Sequence, residues 1–395
     1  MESNSSLHIV MYPWFALGHI TPFLHMSNKL ARKGHRISFF VPTKTQSKIQ
    51  HFNGFPHLIT FVPITVPHVD GLPLGAETTS DVPSPLIPLI MTAMDRTEPH
   101  IELLLRDLKP HIVFFDFTHW IPKLARKLEI KTVYFSVVSP VMMSYFRGRE
   151  LEGQETATIP FEKMFLQPPN GFPDSSIKLH PHEMPYFVSV NSQPFGNDMK
   201  LRDRLHISTI ECDTFVSKGF REMEGPFAEF LERNFGKPVL LAGPVIPEPP
   251  MSSFSLEEKW DKFLGQFKAG SVIFCAFGSD NILKKEQFQE LLLGFELSGL
   301  PFFAVLKPPF GTETVEEALP DGFAGRVVGR GVVHSGWIQQ QLILEHPSVG
   351  CYVTHCGSGS LREKVCKAIK TVMEENYSES SYVDDLSQKL QVLVN

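Results

Sequence analysis

Two polar residues in the N-terminal half of the chain each follow shortly after an apolar, strand-like segment. His19 follows the apolar segment 7–12 by a short loop, and Asp116 follows the apolar segment 111–115 directly. The crevice of a parallel sheet lies at the carboxyl ends of its strands, which is where both residues are expected. An Asp that accepts a hydrogen bond from one imidazole nitrogen leaves the other nitrogen free to take a proton. The pair therefore predicts a general base and its orienting carboxylate, as in an enzyme that activates a hydroxyl.

Each member of this pair also has a structural interpretation. A single His in a loop before a helix most often serves only the fold. An Asp after a strand can cap the next helix, here the one predicted at 119–128. Neither residue alone indicates catalysis, and the hypothesis depends on the two occurring at the carboxyl ends of two strands.

A second group of polar residues lies between 337 and 360. A short helical run is followed by an apolar strand at 349–353 and then by a Gly/Ser-rich turn that ends at Ser360. Such a turn directs backbone N–H groups and a positive helix N-terminus beyond the strand, which suits a phosphate. The turn Gly278-Ser279, after the strand predicted at 271–277, has the same character. Both turns could also be ordinary strand-to-helix connections.

The segment 337–360 resembles the signature box of plant secondary-product UDP-glycosyltransferases over its whole length. By this resemblance Trp337 stacks on uracil, the backbone of Ile338 pairs with the uracil edge and Gln340 contacts the ribose. The resemblance assigns the diphosphate to His355, Gly359, Ser360 and Ser279. It implies a UDP-sugar as the donor substrate.

The N-terminal motifs resemble the same family. Gly18-His19-Ile20 and Phe115-Asp116-Phe117 resemble its catalytic dyad region. The following Trp120-Ile121-Pro122 is most similar to the branch that adds a second sugar to flavonoid glycosides such as anthocyanins. The resemblance implies that His19 deprotonates the acceptor hydroxyl while Asp116 orients it, that the anomeric carbon is inverted, and that neither a metal nor another cofactor takes part.

The chain departs from the family pattern after Ser360. The residues after Leu361 resemble a helix from much later in the family's chain, and the Asp-Gln pair that holds the sugar hydroxyls is missing. Glu363 stands at the spacing of the family's ribose-binding acid. The C-terminal domain is therefore expected to be shortened, and the alternative function is a catalytically inactive paralogue or splice form that binds acceptor or UDP without transfer.

The order of the predicted elements indicates an α/β protein. A strand at 7–12, a helix that starts at Thr21-Pro22 and ends near Lys33, and a strand at 36–41 form a βαβ unit, hence a parallel sheet. We predict an acceptor-binding domain at 1–242, a Pro-rich linker at 243–252 and a UDP-sugar-binding domain at 253–395 with a terminal helix. By the resemblance, both domains are Rossmann-like and face each other across a cleft, the GT-B architecture, with the second incomplete.

Composition excludes several classes of partner. The 395 residues carry a net charge of −6 and no block of Lys and Arg, so nucleic acid and anionic membranes are not expected partners. No G-x-G-x-x-G follows the first strand, which argues against a nicotinamide cofactor. The five cysteines are scattered, and neither a signal peptide nor an apolar run of roughly 20 residues is seen. We expect a cytoplasmic monomer that acts on small molecules.

Overall fold

The computed structural model describes residues 6–152, 165–181, 183–185, 188, 192–243, 255–278, 281–355 and 379–394. Two compact units divide the chain: the first comprises residues 1–248 and 373–395, and the second residues 249–372. The terminal helix, which the sequence-based division counted with the second domain, thus belongs to the first unit. The domain boundaries proposed from the sequence otherwise stay a prediction.

The first unit contains a sheet of seven parallel strands in the order β3-β2-β1-β4-β5-β6-β7. Its strands are β1 (His8–Tyr12), β2 (Arg36–Pro42), β3 (Ile59–Ile64), β4 (Ile112–Phe115), β5 (Lys131–Ser136), β6 (Thr214–Ser217) and β7 (Val239–Leu241). The central neighbours β1 and β4 are in register, with Tyr12 opposite Phe115. Since these strands are parallel, the residues that follow them emerge at one edge of the sheet.

Both faces of this sheet are covered, which explains why its central strands are almost continuously apolar. Val10 and Tyr12 of β1 pack in one layer of the core, whereas Ile9 and Met11 pack in the opposite layer. The alternation follows from the two-residue period of a strand. The helices of this unit are Leu17–Arg32, Gln46–Ile49, Ile87–Asp95, Glu98–Leu108, Ile121–Lys127, Pro140–Glu152, Leu201–Glu211, Arg221–Phe235 and Glu379–Val394.

The terminal helix Glu379–Val394 completes one layer of the first unit's core. Its Leu386 and Leu390 are buried among the side chains that cover β1. Nδ1 of His35 accepts the N–H of Leu7 at 3.3 Å, so the Nε2–H of His35 donates to Oγ of Ser387 at 2.7 Å. An apolar stripe and a buried hydrogen bond thus attach the helix to this unit.

The first helix begins earlier than predicted. It starts at Leu17 with Ala16 at the N-cap, and Pro22 lies inside it. The prediction that Thr21-Pro22 opens the helix was wrong because the N–H groups of His19 and Ile20 already bond to the carbonyl of Ala16. Pro22 therefore lies in the second turn, where it removes one backbone hydrogen bond, and it does not mark the start of the helix. His19 is consequently a first-turn residue of this helix, on a more rigid support than a loop.

The second unit contains a parallel sheet in the order β10-β9-β8-β11. Its strands are β8 (Val272–Ala276), β9 (Phe302–Val305), β10 (Gly331–His334) and β11 (Val349–Thr354), and its helices are Glu258–Leu264, Lys285–Leu297, Phe323–Arg326 and Gln340–Glu345. Buried clusters cover both faces, with Phe288 and Leu292 on one side and Leu264 and Ile343 on the other. In neither unit does a described helix combine the length and the apolar character needed to cross a membrane.

Candidate active site

His19 and Asp116 meet at the carboxyl edge of the first unit's sheet. The loop after β1 leads into the helix that carries His19, and Asp116 follows β4 directly. Nδ1 of His19 lies 2.6 Å from Oδ2 of Asp116. The structure therefore brings together the two side chains that the sequence singled out, and their catalytic role stays a prediction.

The other oxygen of Asp116 determines which group donates the proton in this contact. Oδ1 accepts the backbone N–H groups of Trp14 at 2.8 Å and Phe117 at 2.7 Å. A buried carboxylate surrounded by N–H donors acts as an acceptor, so Nδ1 of His19 carries the hydrogen. The Nε2 atom of a neutral His19 is then the basic one. Asp116 does not cap the next helix, which begins at Ile121 with Trp120 at its N-cap.

Aromatic side chains lie beside this base. The ring of Phe117 packs against the imidazole of His19 with 5.2 Å between centroids. Phe117 also contacts Trp14 at 5.9 Å and Phe195 at 6.0 Å. Phe117 and Phe195 are only half-buried. They offer an apolar surface next to His19 against which a flat aromatic molecule can pack.

A buried ion pair adjoins these rings, and sequence reasoning missed it. The guanidinium of Arg204 is fully buried and contacts both oxygens of Asp95, with Nη2–Oδ2 at 2.7 Å and Nη1–Oδ1 at 2.9 Å. Nε of Arg204 donates to the carbonyl of Phe195 at 3.1 Å. No local motif links residues more than a hundred positions apart. The buried positions of the helix Leu201–Glu211 are the polar residues Arg204, Ser208 and Thr209, so no apolar stripe marks its inner face.

Trp337 and His355, two of the predicted donor residues, lie at one edge of the second unit's sheet, together with Gly278 of the turn that precedes Ser279. Gly278 follows β8, Trp337 follows β10 and His355 follows β11, and all three strands are parallel. A Cβ on Gly278 would lie 2.9 Å from Cε1 of His355, and the φ of Gly278 is +75°. Only glycine meets both conditions, so the turn after β8 and the His after β11 pack directly on each other.

Trp337, Ile338 and Gln340 differ in exposure. Trp337 is 66% exposed, whereas Ile338 is buried in the core beside β8. Nε2 of Gln340 donates to the hydroxyl of Tyr352 at 3.2 Å, and its backbone N–H bonds to the carbonyl of Ile338 at 2.9 Å. The buried Ile338 therefore anchors the segment while the indole of Trp337 stands at its surface.

Comparison with known proteins identifies the family. A family model for UDP-glucoronosyl and UDP-glucosyl transferases matches residues 322–381, which include the segment 337–360. A cyanidin 3-O-galactoside 2''-O-xylosyltransferase from Actinidia chinensis var. chinensis is 59% identical over 373 residues, covering 94% of this chain and 80% of the relative. An anthocyanidin 3-O-glucoside 2''-O-glucosyltransferase from Ipomoea purpurea is 51% identical, covering 93% and 80%. The chain belongs to the plant UDP-glycosyltransferases.

The fold of this glycosyltransferase agrees with that of solved relatives. A UDP-glucosyltransferase from Polygonum tinctorium superposes with a TM-score of 0.71 at 24% identity, over 91% of this chain and 78% of the other. An anthocyanidin 3-O-glucosyltransferase in complex with UDP superposes with a TM-score of 0.68 at 21% identity, over 92% and 79%. The resemblance inferred from the signature box and the two Rossmann-like units of the GT-B class are thereby confirmed.

Four predicted donor residues of this glycosyltransferase, Ser279, Gly359, Ser360 and Glu363, lie outside the described residues. Their roles stay predictions, as does the shortening after Leu361. Across the ranges that are described, no three His, Cys, Asp or Glu side chains are grouped so as to hold a metal ion. A reaction without metal or cofactor likewise stays a prediction.

Proposed function

We propose that this glycosyltransferase moves a hexosyl or pentosyl group from a UDP-sugar to a hydroxyl on the sugar of a flavonoid glycoside of the anthocyanidin 3-O-glycoside type. The observation that carries the proposal is the 2.6 Å contact between His19 and Asp116, found in a chain of this family. The relatives that support the acceptor class are named as enzymes that add a sugar at a 2'' or 2''' oxygen of such glycosides. None of the comparisons favours the inactive alternative.

The reaction follows from the orientation of the dyad. Nε2 of His19 takes the proton of the acceptor hydroxyl while its oxygen forms a bond to the anomeric carbon of the donor sugar. The bond from that carbon to UDP breaks, its electron pair leaves with UDP, and attack opposite the leaving group inverts the carbon. Asp116 stabilises the imidazolium that forms. General base catalysis of this kind contributes about 10²–10⁴ in rate.

The donor side of the proposal assigns the nucleotide to the second unit. Trp337 stacks on uracil, the backbone of Ile338 pairs with its edge, and Gln340 and Glu363 contact the ribose. The diphosphate is held by His355, Gly359, Ser360 and Ser279. Imidazole and N–H donors offset the phosphate charge, so we propose transfer without a metal ion. A cytoplasmic monomer, as expected from the sequence, is part of the same proposal.

The experiment that tests this function is a transfer assay by mass spectrometry. The purified chain is incubated with cyanidin 3-O-galactoside and, separately, UDP-glucose, UDP-galactose and UDP-xylose, with the aglycone cyanidin as the matched acceptor control. A mass gain of one sugar on the glycoside, and a much smaller one on the aglycone, supports the proposal. If only the aglycone gains a sugar, or if no acceptor does, the proposed acceptor class is wrong.

A further inference from the structure

His119 is held in one tautomer by its contact with Arg204. Nη1 of Arg204 lies 2.9 Å from Nδ1 of His119. A guanidinium keeps its protons in proteins and can only donate. Nδ1 of His119 must therefore accept, and the single hydrogen of its neutral ring is on Nε2. The ring presents one N–H donor on the side away from Arg204.

The support beneath His119 is rigid. Arg204 is fully buried and doubly bonded to Asp95, whose Oδ1 also accepts the indole N–H of Trp120 at 3.2 Å and whose Oδ2 accepts Nδ2 of Asn197 at 3.2 Å. Trp120 and Asn197 thus hold Asp95 in place, and Asp95 in turn fixes the guanidinium of Arg204. A donor on such a support loses little conformational entropy when a ligand binds.

The neutral state of His119 follows from its surroundings. Burial lowers the pKa of His119, and the positive charge of Arg204 lowers it further, while Asp95 and Glu211 act in the opposite direction. The ring is therefore uncharged at neutral pH and has one donor. Such a donor can bind any oxygen with a free lone pair, including the uncharged oxygens of a sugar.

His119 lies close to the catalytic dyad. His119 stands three positions after Asp116 in the sequence, which limits the distance between their Cα atoms to about 11 Å. Phe117 links His119 to the dyad. Its ring packs on His19, and its carbonyl accepts a hydrogen bond at 3.3 Å from Nη1 of Arg204, the atom that also contacts His119. The side chain of His119 is 21% exposed. Within the described part of the chain, the hydrogen bond from Arg204 uses Nδ1 of His119, and Nε2 is not among the buried side-chain atoms that lack a partner.

We propose that the Nε2–H of His119 donates a hydrogen bond to an oxygen of the acceptor's sugar, with Arg204 and Asp95 as positioning residues. This assignment rests on the proposed function and deepens it. The reacting hydroxyl belongs to that sugar, so the oxygens nearest to the dyad are those of the same ring. His119 then makes the enzyme prefer a glycoside to the free aglycone.

The test measures acceptor affinity by titration calorimetry, without any donor. The ligands are cyanidin 3-O-galactoside and cyanidin, and the variants are His119→Ala, His119→Gln and the control His100→Ala, which changes an exposed His of the same unit. We expect His119→Ala to raise the Kd of the glycoside roughly 2- to 10-fold, as for the loss of one hydrogen bond, and to leave the Kd of cyanidin unchanged. His119→Gln should restore the affinity, because its amide oxygen accepts from Arg204 while its N–H₂ donates.

Two kinds of result would overturn the assignment. If His119→Ala leaves the Kd of the glycoside unchanged, the assignment is wrong. If the affinities for glycoside and aglycone fall equally, His119 does not contact the sugar. A wild-type chain that does not bind the glycoside at all contradicts the proposed function itself, so the two failures are distinguishable. Thermal unfolding of each variant checks that the fold is intact.

The positioning role of Arg204 and Asp95 has its own readout. Two-bond ¹⁵N–¹H spectra of protein labelled at histidine, with the His119 signals assigned from their loss in His119→Gln, should show a protonated Nε2 and an unprotonated Nδ1. The double variant Asp95→Asn with Arg204→Met removes both charges. It should give a mixture of His119 tautomers and a higher Kd for the glycoside. A protonated Nδ1 in the wild type contradicts the proposal.

Discussion

Oδ2 of Asp116 lies 2.6 Å from Nδ1 of His19, while its Oδ1 is occupied by the N–H groups of Trp14 and Phe117. This arrangement makes the charge of Asp116 as important as its shape. In Asp116→Asn the two backbone donors require the amide oxygen, so the amide N–H₂ would face His19. The imidazole must then accept at Nδ1 and carry its proton on Nε2, where it cannot serve as a base.

We therefore expect Asp116→Asn to lower the rate of transfer by about 10²–10⁴, although the side chain is nearly isosteric. The measurement is single-turnover transfer with UDP-sugar and flavonoid glycoside, with the tautomer of His19 followed by ¹⁵N NMR. UDP affinity serves as the control and should not change. Near-normal turnover in Asp116→Asn would show that Asp116 does not set the tautomer.

The exposed indole of Trp337 gives a test of the donor site. Trp337→Ala should weaken UDP binding by the stacking contribution, about 1–3 kcal/mol, measured by titration calorimetry. The matched control is Phe310→Ala, which removes another exposed aromatic ring of the second unit and should leave UDP affinity unchanged. Equal affinities for Trp337→Ala and the wild type would place the uracil elsewhere.

Gly196 lies against Arg204, beside the candidate acceptor site, and is predicted not to tolerate a side chain. Its φ is +83°, and an added Cβ would lie 2.5 Å from Cγ of Met91 and 2.8 Å from Nη2 of Arg204. Gly171 has a similar φ of +72° but nothing within 4 Å of that position. Gly171→Ala should therefore cost only backbone strain, about 1–2 kcal/mol, whereas Gly196→Ala should cost about 1–3 kcal/mol more. Urea unfolding measures both, and equal losses would contradict the packing argument.

Buried histidines predict that stability depends on pH. Burial, assisted by the charges of Arg36 and His111, lowers the pKa of His8 to about 4, and burial lowers that of His35. The unfolded chain titrates near 6.5 and so binds more protons than the native state below that pH. The free energy of unfolding should therefore decline as pH falls from about 6.5 towards 4.

Urea unfolding across that range measures the slope, and His8→Asn should reduce it. The substitution removes a titrating group whose Nε2 contacts Oγ of Ser38 at 2.9 Å. Comparison with the wild type at each pH separates this contribution from that of the carboxylates. A slope that His8→Asn leaves unaltered would rule out His8 as a source of the pH dependence.

The fold could be predicted from the sequence wherever a strand is buried on both faces. The strands predicted at 7–12, 36–41, 111–115 and 271–277 correspond to central positions of the two sheets, and the strand predicted at 349–353 corresponds to the edge strand β11. The other edge strands, β3, β7 and β10, were not predicted. β3 contains a proline, β7 has three residues and β10 is only half-buried. Edge strands need fewer apolar residues and tolerate proline, so their patterns are weak.

The candidate site could be predicted where one element supplies each residue and the carboxyl edge of a sheet brings the residues together. His19 and Asp116 satisfied this condition. Arg204 and Asp95 did not, because their contact depends on how two helices pack, and no pattern in either helix indicates the partner. The same holds for the tautomer of His119, which depends on a contact 85 residues away in sequence.

The central claim is that His19 is the base of a sugar transfer, and His19→Ala tests it most directly. Transfer from a UDP-sugar to cyanidin 3-O-galactoside is measured by mass spectrometry, with UDP affinity measured by calorimetry on the same preparations. We predict that the variant loses transfer by about 10²–10⁴ while it binds UDP as the wild type does. A variant that keeps near-full turnover would contradict the account.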